Sequence, residues 1–140
     1  LATHIVSYRT LMNHKANVLL QDAVAKWMKD GGFERHLRKS TRQYQKRRKC
    51  MVDMLNGFVD EGVDLKFIIP KGGMALWINV GNNAQEIACL AKRQGIFLLA
   101  ENAFQLHAKN NENKFIRLGF AGQSEEKIKQ GLLKLKHLLI

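Results

Sequence analysis

The chain has 140 residues, 46% hydrophobic and 25% charged, which suits one globular domain with a real core and is too short for two comfortable ones. Its formal charge is +11, from 23 basic and 12 acidic side chains, so anionic partners stay in view. No apolar run approaches the ~18 residues of a membrane span, and the first residues, from Leu1 to Thr10, lack the basic-then-apolar layout of a secretory signal. The expectation is a cytoplasmic protein without a membrane partner. A start without Met makes the sequence read as a piece cut from a longer protein.

In chain order, Leu20, Val24, Trp27 and Met28 lie at helical spacing between Asn17 and Asp30, and Gly31-Gly32 ends that helix. A longer helix is predicted from Phe33 to Phe58, with Leu37, Tyr44, Met51 and Phe58 seven apart and Met54 and Leu55 beside them. Between Arg35 and Lys49 it carries eight basic side chains (Arg35, Arg38, Lys39, Arg42, Lys46, Arg47, Arg48, Lys49) and no acid. Such a stripe can track phosphates, but no aromatic interleaving or zinc spacing accompanies it, so it reads first as one solvated helix face. The periodicity then changes to two. Leu65, Phe67 and Ile69 alternate with Asp64, Lys66 and Ile68, Pro70-Lys71-Gly72-Gly73 breaks the run, and Met74 to Val80 resumes a strand paired closely with the first. Asn83 is a predicted N-cap with Glu86 as its capping-box partner, opening a short helix with Ile87, Leu90 and Ala91 inward and an end near Gly95. Ile96 to Ala100 reads as a third strand and Glu101 to Asn113 as a polar loop. After the strand from Phe115 to Phe120, Ser124 is predicted to cap the last helix, with Ile128, Leu132, Leu135 and Leu139 facing the core. This order predicts an α+β fold: a mostly antiparallel sheet of three or four strands, helices on one face and a long N-terminal helix.

The strand after the polar loop carries the sharpest chemical signal. Alternation puts Ile116, Leu118 and Phe120 on one face and Phe115, Arg117 and Gly119 on the other. A guanidinium on a rigid strand is either solvated or a fork for a carboxylate or phosphate, and the strand alone leaves both open. Pro70-Lys71-Gly72-Gly73-Met74 is not a phosphate loop, since it feeds a strand and not a helix N-terminus. Its glycines serve a tight turn or the close approach of a ligand. His4, His14, His36, His107 and His137 are scattered, with no metal spacing, and read as exposed or hydrogen-bonded structural residues. Cys50 and Cys89 read as buried free thiols. Neither a nucleophile with its base nor an acid-base pair is legible.

Taken together, Gln21, Gly31-Gly32-Phe33, His36-Leu37-Arg38, Tyr44, Arg47-Arg48, Pro70-x-Gly72-Gly73-Met74 with Trp77, and Arg117-Leu118-Gly119-Phe120 occur in the order seen in fold-type I pyridoxal-phosphate aminotransferases. More narrowly, the chain resembles the C-terminal part of GntR/MocR-type transcription regulators, which fuse a winged-helix domain to an aminotransferase-like one. The resemblance implies a helical segment 1–32 from the large-domain junction and a small domain 33–140 whose long helix, 33–58, links it to the large domain. It implies that Arg117 binds the α-carboxylate of an amino-acid substrate or effector and that Gly72 and Gly73 lie at the active-site mouth. The Schiff-base lysine and the phosphate-binding residues belong in the family to the large domain upstream. The resemblance thus implies pyridoxal phosphate in the full-length protein, with no catalytic residue, no cofactor and no activity in this segment alone. Implied partners are the large domain, a second copy of the full-length chain and DNA held through an upstream winged helix. The turn after the third strand, Ala100-Glu101-Asn102-Ala103-Phe104, departs from the Pro-Gly turn common in the family. Two rival readings are a stand-alone aminotransferase for aromatic or dicarboxylic amino acids and, from another class, a basic nucleic-acid-binding module.

Overall fold

The computed structural model describes residues 2–12, 17–81, 83–105 and 113–140. The chain divides into two compact units, Leu1–Thr41 and Arg42–Ile140, with helix α3 (Gly32–Asp60) running through the boundary.

The first unit is helical. Helix α1 (Ala2–Met12) is followed by α2 (Val18–Lys29), where the Asn17 side chain accepts from the Leu20 amide at 3.1 Å as an N-cap. Gly31 follows with φ +70°, a left-handed turn that glycine enters without a Cβ penalty. Gly32 is glycine for another reason: a Cβ there would overlap the Trp27 indole. That indole also meets Phe33 edge-on at 5.5 Å and the His36 ring at 5.6 Å. Helix α2 buries none of its residues, and Leu19, Leu20, Val24 and Met28 stand exposed, as do Ile5, Val6 and Leu11 of α1. On α2, Leu20, Val24 and Met28 recur at four-residue spacing and so share one exposed face.

The second unit holds the core. Strands β1 (Lys66–Phe67), β2 (Ala75–Asn79), β3 (Leu99–Ala100) and β4 (Phe115–Gly119) form an antiparallel sheet in the order β1-β2-β4-β3. Leu76, Ile78, Ile116 and Leu118 are buried on one face. They join Met51, Leu55 and Phe58 of α3, Ile87 and Ala88 of α4 (Ala84–Arg93), and Ile128, Leu132 and Leu135 of α5 (Glu125–Leu139) in a single apolar cluster. The antiparallel sheet with helices on one face is the architecture the sequence predicts, and each large side chain fully buried here stabilises by about 1.5–3 kcal/mol.

Several local expectations change. Helix α3 is longer than predicted by a residue at its start and two at its end. Its seven-residue seam is buried only at Met51 and Phe58; Tyr44 is half-buried and Leu37 exposed. The basic run is not one face. Six of its side chains fall within roughly a third of the helix circumference, whereas Arg47 and Arg48 project away from it. Arg47 donates to the Ala121 carbonyl and Arg48 to that of Pro70. Asn83 precedes α4 without a side-chain cap bond, so the capping box with Glu86 does not form. The third strand keeps two of its predicted residues because the Ile96 amide is taken by Ala91 O at 2.9 Å, closing the helix end around Gly95 (φ +80°). The first strand shrinks likewise, leaving Ile68 and Ile69 exposed just before Pro70. Both cysteines are free as expected, but Cys50 is half-buried and Cys89 exposed.

Candidate functional site

The face of the sheet opposite the helices carries the site. Strand β4 is central, and Arg117 stands at its middle, directly opposite Trp77 on β2 and Leu99 on β3. Directly opposed side chains share a face with Cβ atoms about 4.5–5.5 Å apart, so Trp77 and Leu99 flank the arginine stem. The neighbour two residues on, Gly119, has no side chain to cover the guanidinium: a Cβ there would come to 4.0 Å from Arg117 Nη1. Arg117 is half-buried and has neither a hydrogen bond nor an ion pair among the described residues.

A second aromatic joins this face from the turn after β3. The 3-10 helix Glu101–Phe104 is tied back to the chain entering β4 by two bonds: the Asn102 amide donates to Asn113 Oδ1 at 3.3 Å, and the Lys114 amide to Glu101 Oε2 at 3.3 Å. This brings Phe104 onto Trp77, edge to face, with centroids 5.2 Å apart. Both rings remain well exposed, Trp77 at 42% and Phe104 at 49%. In the sequence Trp77 stands only alongside the Pro70-x-Gly72-Gly73-Met74 motif, and Phe104 ends the turn that departs from the family's Pro-Gly turn, within a predicted polar loop. The signal for Phe104 was an aromatic set among polar residues.

Gly72 and Gly73 lie in the exposed turn leading into β2, whose first residue pairs with Gly119. Gly73 has φ +93°, so its backbone conformation calls for glycine. Neither glycine has an atom within 4 Å of where a Cβ would stand, leaving their backbone open to approach. The Arg48 bond to Pro70 O anchors the start of this turn at 2.9 Å.

A cavity of about 440 Å³ opens elsewhere, between α5 and the segment before β3, lined by Phe97, Leu118 and Lys134 among others, without Arg117. Among the described residues no three His, Cys, Asp or Glu side chains are grouped to hold a metal. His14 and His107 lie outside the described residues. No described helix is long and apolar enough to cross a membrane.

A four-stranded antiparallel sheet with helices on one face is the small-domain architecture of aminotransferases. The sequence model of aminotransferase class I and II matches residues 2–135, and the chain belongs to that family. Aromatic-amino-acid aminotransferase 1 of Thermococcus litoralis is 29% identical over 121 residues, covering 85% of this chain and 28% of that protein. The uncharacterized HTH-type transcriptional regulator YdfD of Bacillus subtilis is 26% identical over 125 residues, covering 88% of this chain and 25% of its own length. Among solved structures, the α-aminoadipate aminotransferase LysN of Thermus thermophilus superposes with a TM-score of 0.81 at 23% identity, covering 99% of this chain and 35% of that one. The chain thus spans about a quarter to a third of the relatives it matches.

The family depends on pyridoxal phosphate, whose phosphate and ring nitrogen require fixed polar partners and whose aldehyde requires a lysine. The residues present do not fit that group. Among the described residues no charged side chain is buried and no buried polar side-chain atom lacks a partner, so they present no cradle for it. What they present is a half-buried guanidinium opposite two apolar side chains, Trp77 and Leu99.

Proposed function

We propose that this chain is the small domain of a pyridoxal-phosphate-dependent, aminotransferase-like transcription regulator, and that it contributes Arg117 as the group that binds an amino acid's α-carboxylate. The observation that carries this reading is the half-buried guanidinium on the central strand that has no partner among the described residues. A carboxylate seated there accepts two parallel hydrogen bonds from the guanidinium, which stands at mid-strand with Trp77 and Leu99 as its cross-strand neighbours. Gly72 and Gly73 lie at the mouth in this reading, where their bare backbone admits a ligand.

The cofactor sits in a large domain belonging to the longer protein, and the exposed apolar face of α2 packs toward that domain. The intact protein is a cytoplasmic homodimer that meets DNA through a winged helix. Similarity to an aromatic-amino-acid aminotransferase favours a second reading, in which the same clamp serves a stand-alone enzyme. About 100 winged-helix residues ahead of the large domain separate the two. The nucleic-acid-module reading loses weight because Arg47 and Arg48, two of its cations, are engaged in holding loops.

The test is amino-acid titration of the intact, cofactor-loaded protein with Arg117→Ala. Losing a charged bidentate contact costs about 2–4 kcal/mol, roughly 30- to 1,000-fold in Kd, with the absorbance of bound cofactor retained. Unchanged affinity would refute the assignment.

A further inference from the structure

The Trp77–Phe104 pair has no role in holding the core. Trp77 lies on the face opposite the buried Leu76 and Ile78, and Phe104 comes from a turn. Large aromatics with more than two-fifths of their surface exposed, one of them opposite an arginine without a partner among the described residues, form an apolar wall beside that guanidinium. On β2, β4 and β3 this face otherwise presents Ala75, Asn79, Leu99, Phe115 and Gly119, and Arg117 is its one charge. The remaining cation of the face, Lys66, stands on β1, two strands away, opposite Asn79. A ligand docked here has one carboxylate satisfied and meets aromatic rings next to it; among the described residues of these three strands a second carboxylate finds no fork.

We infer that Trp77 and Phe104 receive the side chain of the amino acid whose carboxylate Arg117 binds, and that they select aromatic and large apolar side chains over acidic ones. The inference rests on the carboxylate reading of Arg117 and adds the ligand class. The two bonds that tie the 3-10 helix to the start of β4 hold Phe104 in place, so the wall is set before the ligand arrives.

Calorimetric titration of the intact, cofactor-loaded protein with L-phenylalanine, L-alanine and L-glutamate tests it. Phenylalanine should bind about tenfold or more tighter than the other two, and Trp77→Ala and Phe104→Ala should each remove most of that preference while alanine stays within about twofold. Trp77→Phe should keep most of the preference, separating ring contact from any effect on folding. Equal losses for phenylalanine and alanine would make the pair a mere support of the arginine and overturn the inference, as would tighter binding of glutamate. Arg117→Gln identifies which idea has failed. If it weakens phenylalanine and alanine alike, the carboxylate reading stands and an unaltered preference in the aromatic variants sinks the wall alone; if it weakens neither, both fall.

Discussion

Arg48 on α3 donates from Nη1 to the carbonyl of Pro70 at 2.9 Å, so a helix side chain fixes the start of the turn that feeds β2. Its neighbour Arg47 does the same for Ala121, just after β4. Because Ala75 of β2 pairs with Gly119 of β4, both bonds act at one end of the central ladder, two residues from Arg117. Two arginines of a basic run are thereby joints of the fold, and the turn that carries Gly72 and Gly73 hangs from one of them.

Arg48→Ala should cost about 1–2 kcal/mol, the range for a charge-assisted bond at a half-buried site where water partly replaces the donor. Arg42→Ala removes an exposed arginine with no ion pair or hydrogen bond among the described residues and should stay within about 0.5 kcal/mol. Urea midpoints of the two variants decide it. Equal midpoints would mean that the Pro70 bond contributes nothing.

The different fates of those arginines show what a sequence does and does not carry. Alternation alone put Arg117 opposite the buried Ile116 and Leu118, because a strand's period is fixed by its pleat. Helical phase in turn separates Arg47 and Arg48 from the other six cations, yet composition hides it: eight basic residues without an acid look like one stripe until each is placed around the helix. The shortening of β3 was not legible, since it depends on whether the Ile96 amide goes to the ladder or to the carbonyl of Ala91, and both lie within reach. Phe104 was hidden for a related reason. Its position over Trp77 comes from bonds made by Asn113 and Lys114, nine and ten residues further on, and no local pattern encodes such a closure.

Ser124 caps α5 as its sequence position predicted, its hydroxyl accepting from the Lys127 amide at 3.3 Å. Ser124→Ala should cost about 1 kcal/mol in thermal or urea unfolding. The same turn carries a pH signature. Glu126 is held below the usual carboxylate range, first by a bond from its own backbone amide and then by the Ser124 hydroxyl. A depressed folded-state pKa contributes stability that is present above the ordinary carboxylate value and lost as pH falls below it through the folded one. The Glu126→Gln variant should therefore be less sensitive than the parent to acid in that window, and unfolding curves from pH 7 to pH 3 check it. Parallel curves for the two proteins would exclude the carboxylate from the cap.

The two cysteines should differ in reactivity although both are free. Cys50 is half-buried on α3, with its Sγ 4.0 Å from the Glu125 carbonyl, and burial pushes its thiol up. The nearby carboxylates of Glu125, Asp53 and Glu126 push the same way, while Lys129 opposes them. Only the thiolate attacks an alkylating agent, so Cys50 offers less of the reactive form at a given pH and a more restricted path to it. Cys89 stands exposed on α4, contacted by the Gln85 amide at 3.7 Å. At pH 8, iodoacetamide should modify Cys89 about tenfold faster than Cys50, read by peptide mass spectrometry over a time course. The gap should narrow in urea, where both thiols are solvated alike. Equal rates in the folded protein would show that the α3 thiol is not protected by its packing beside α5.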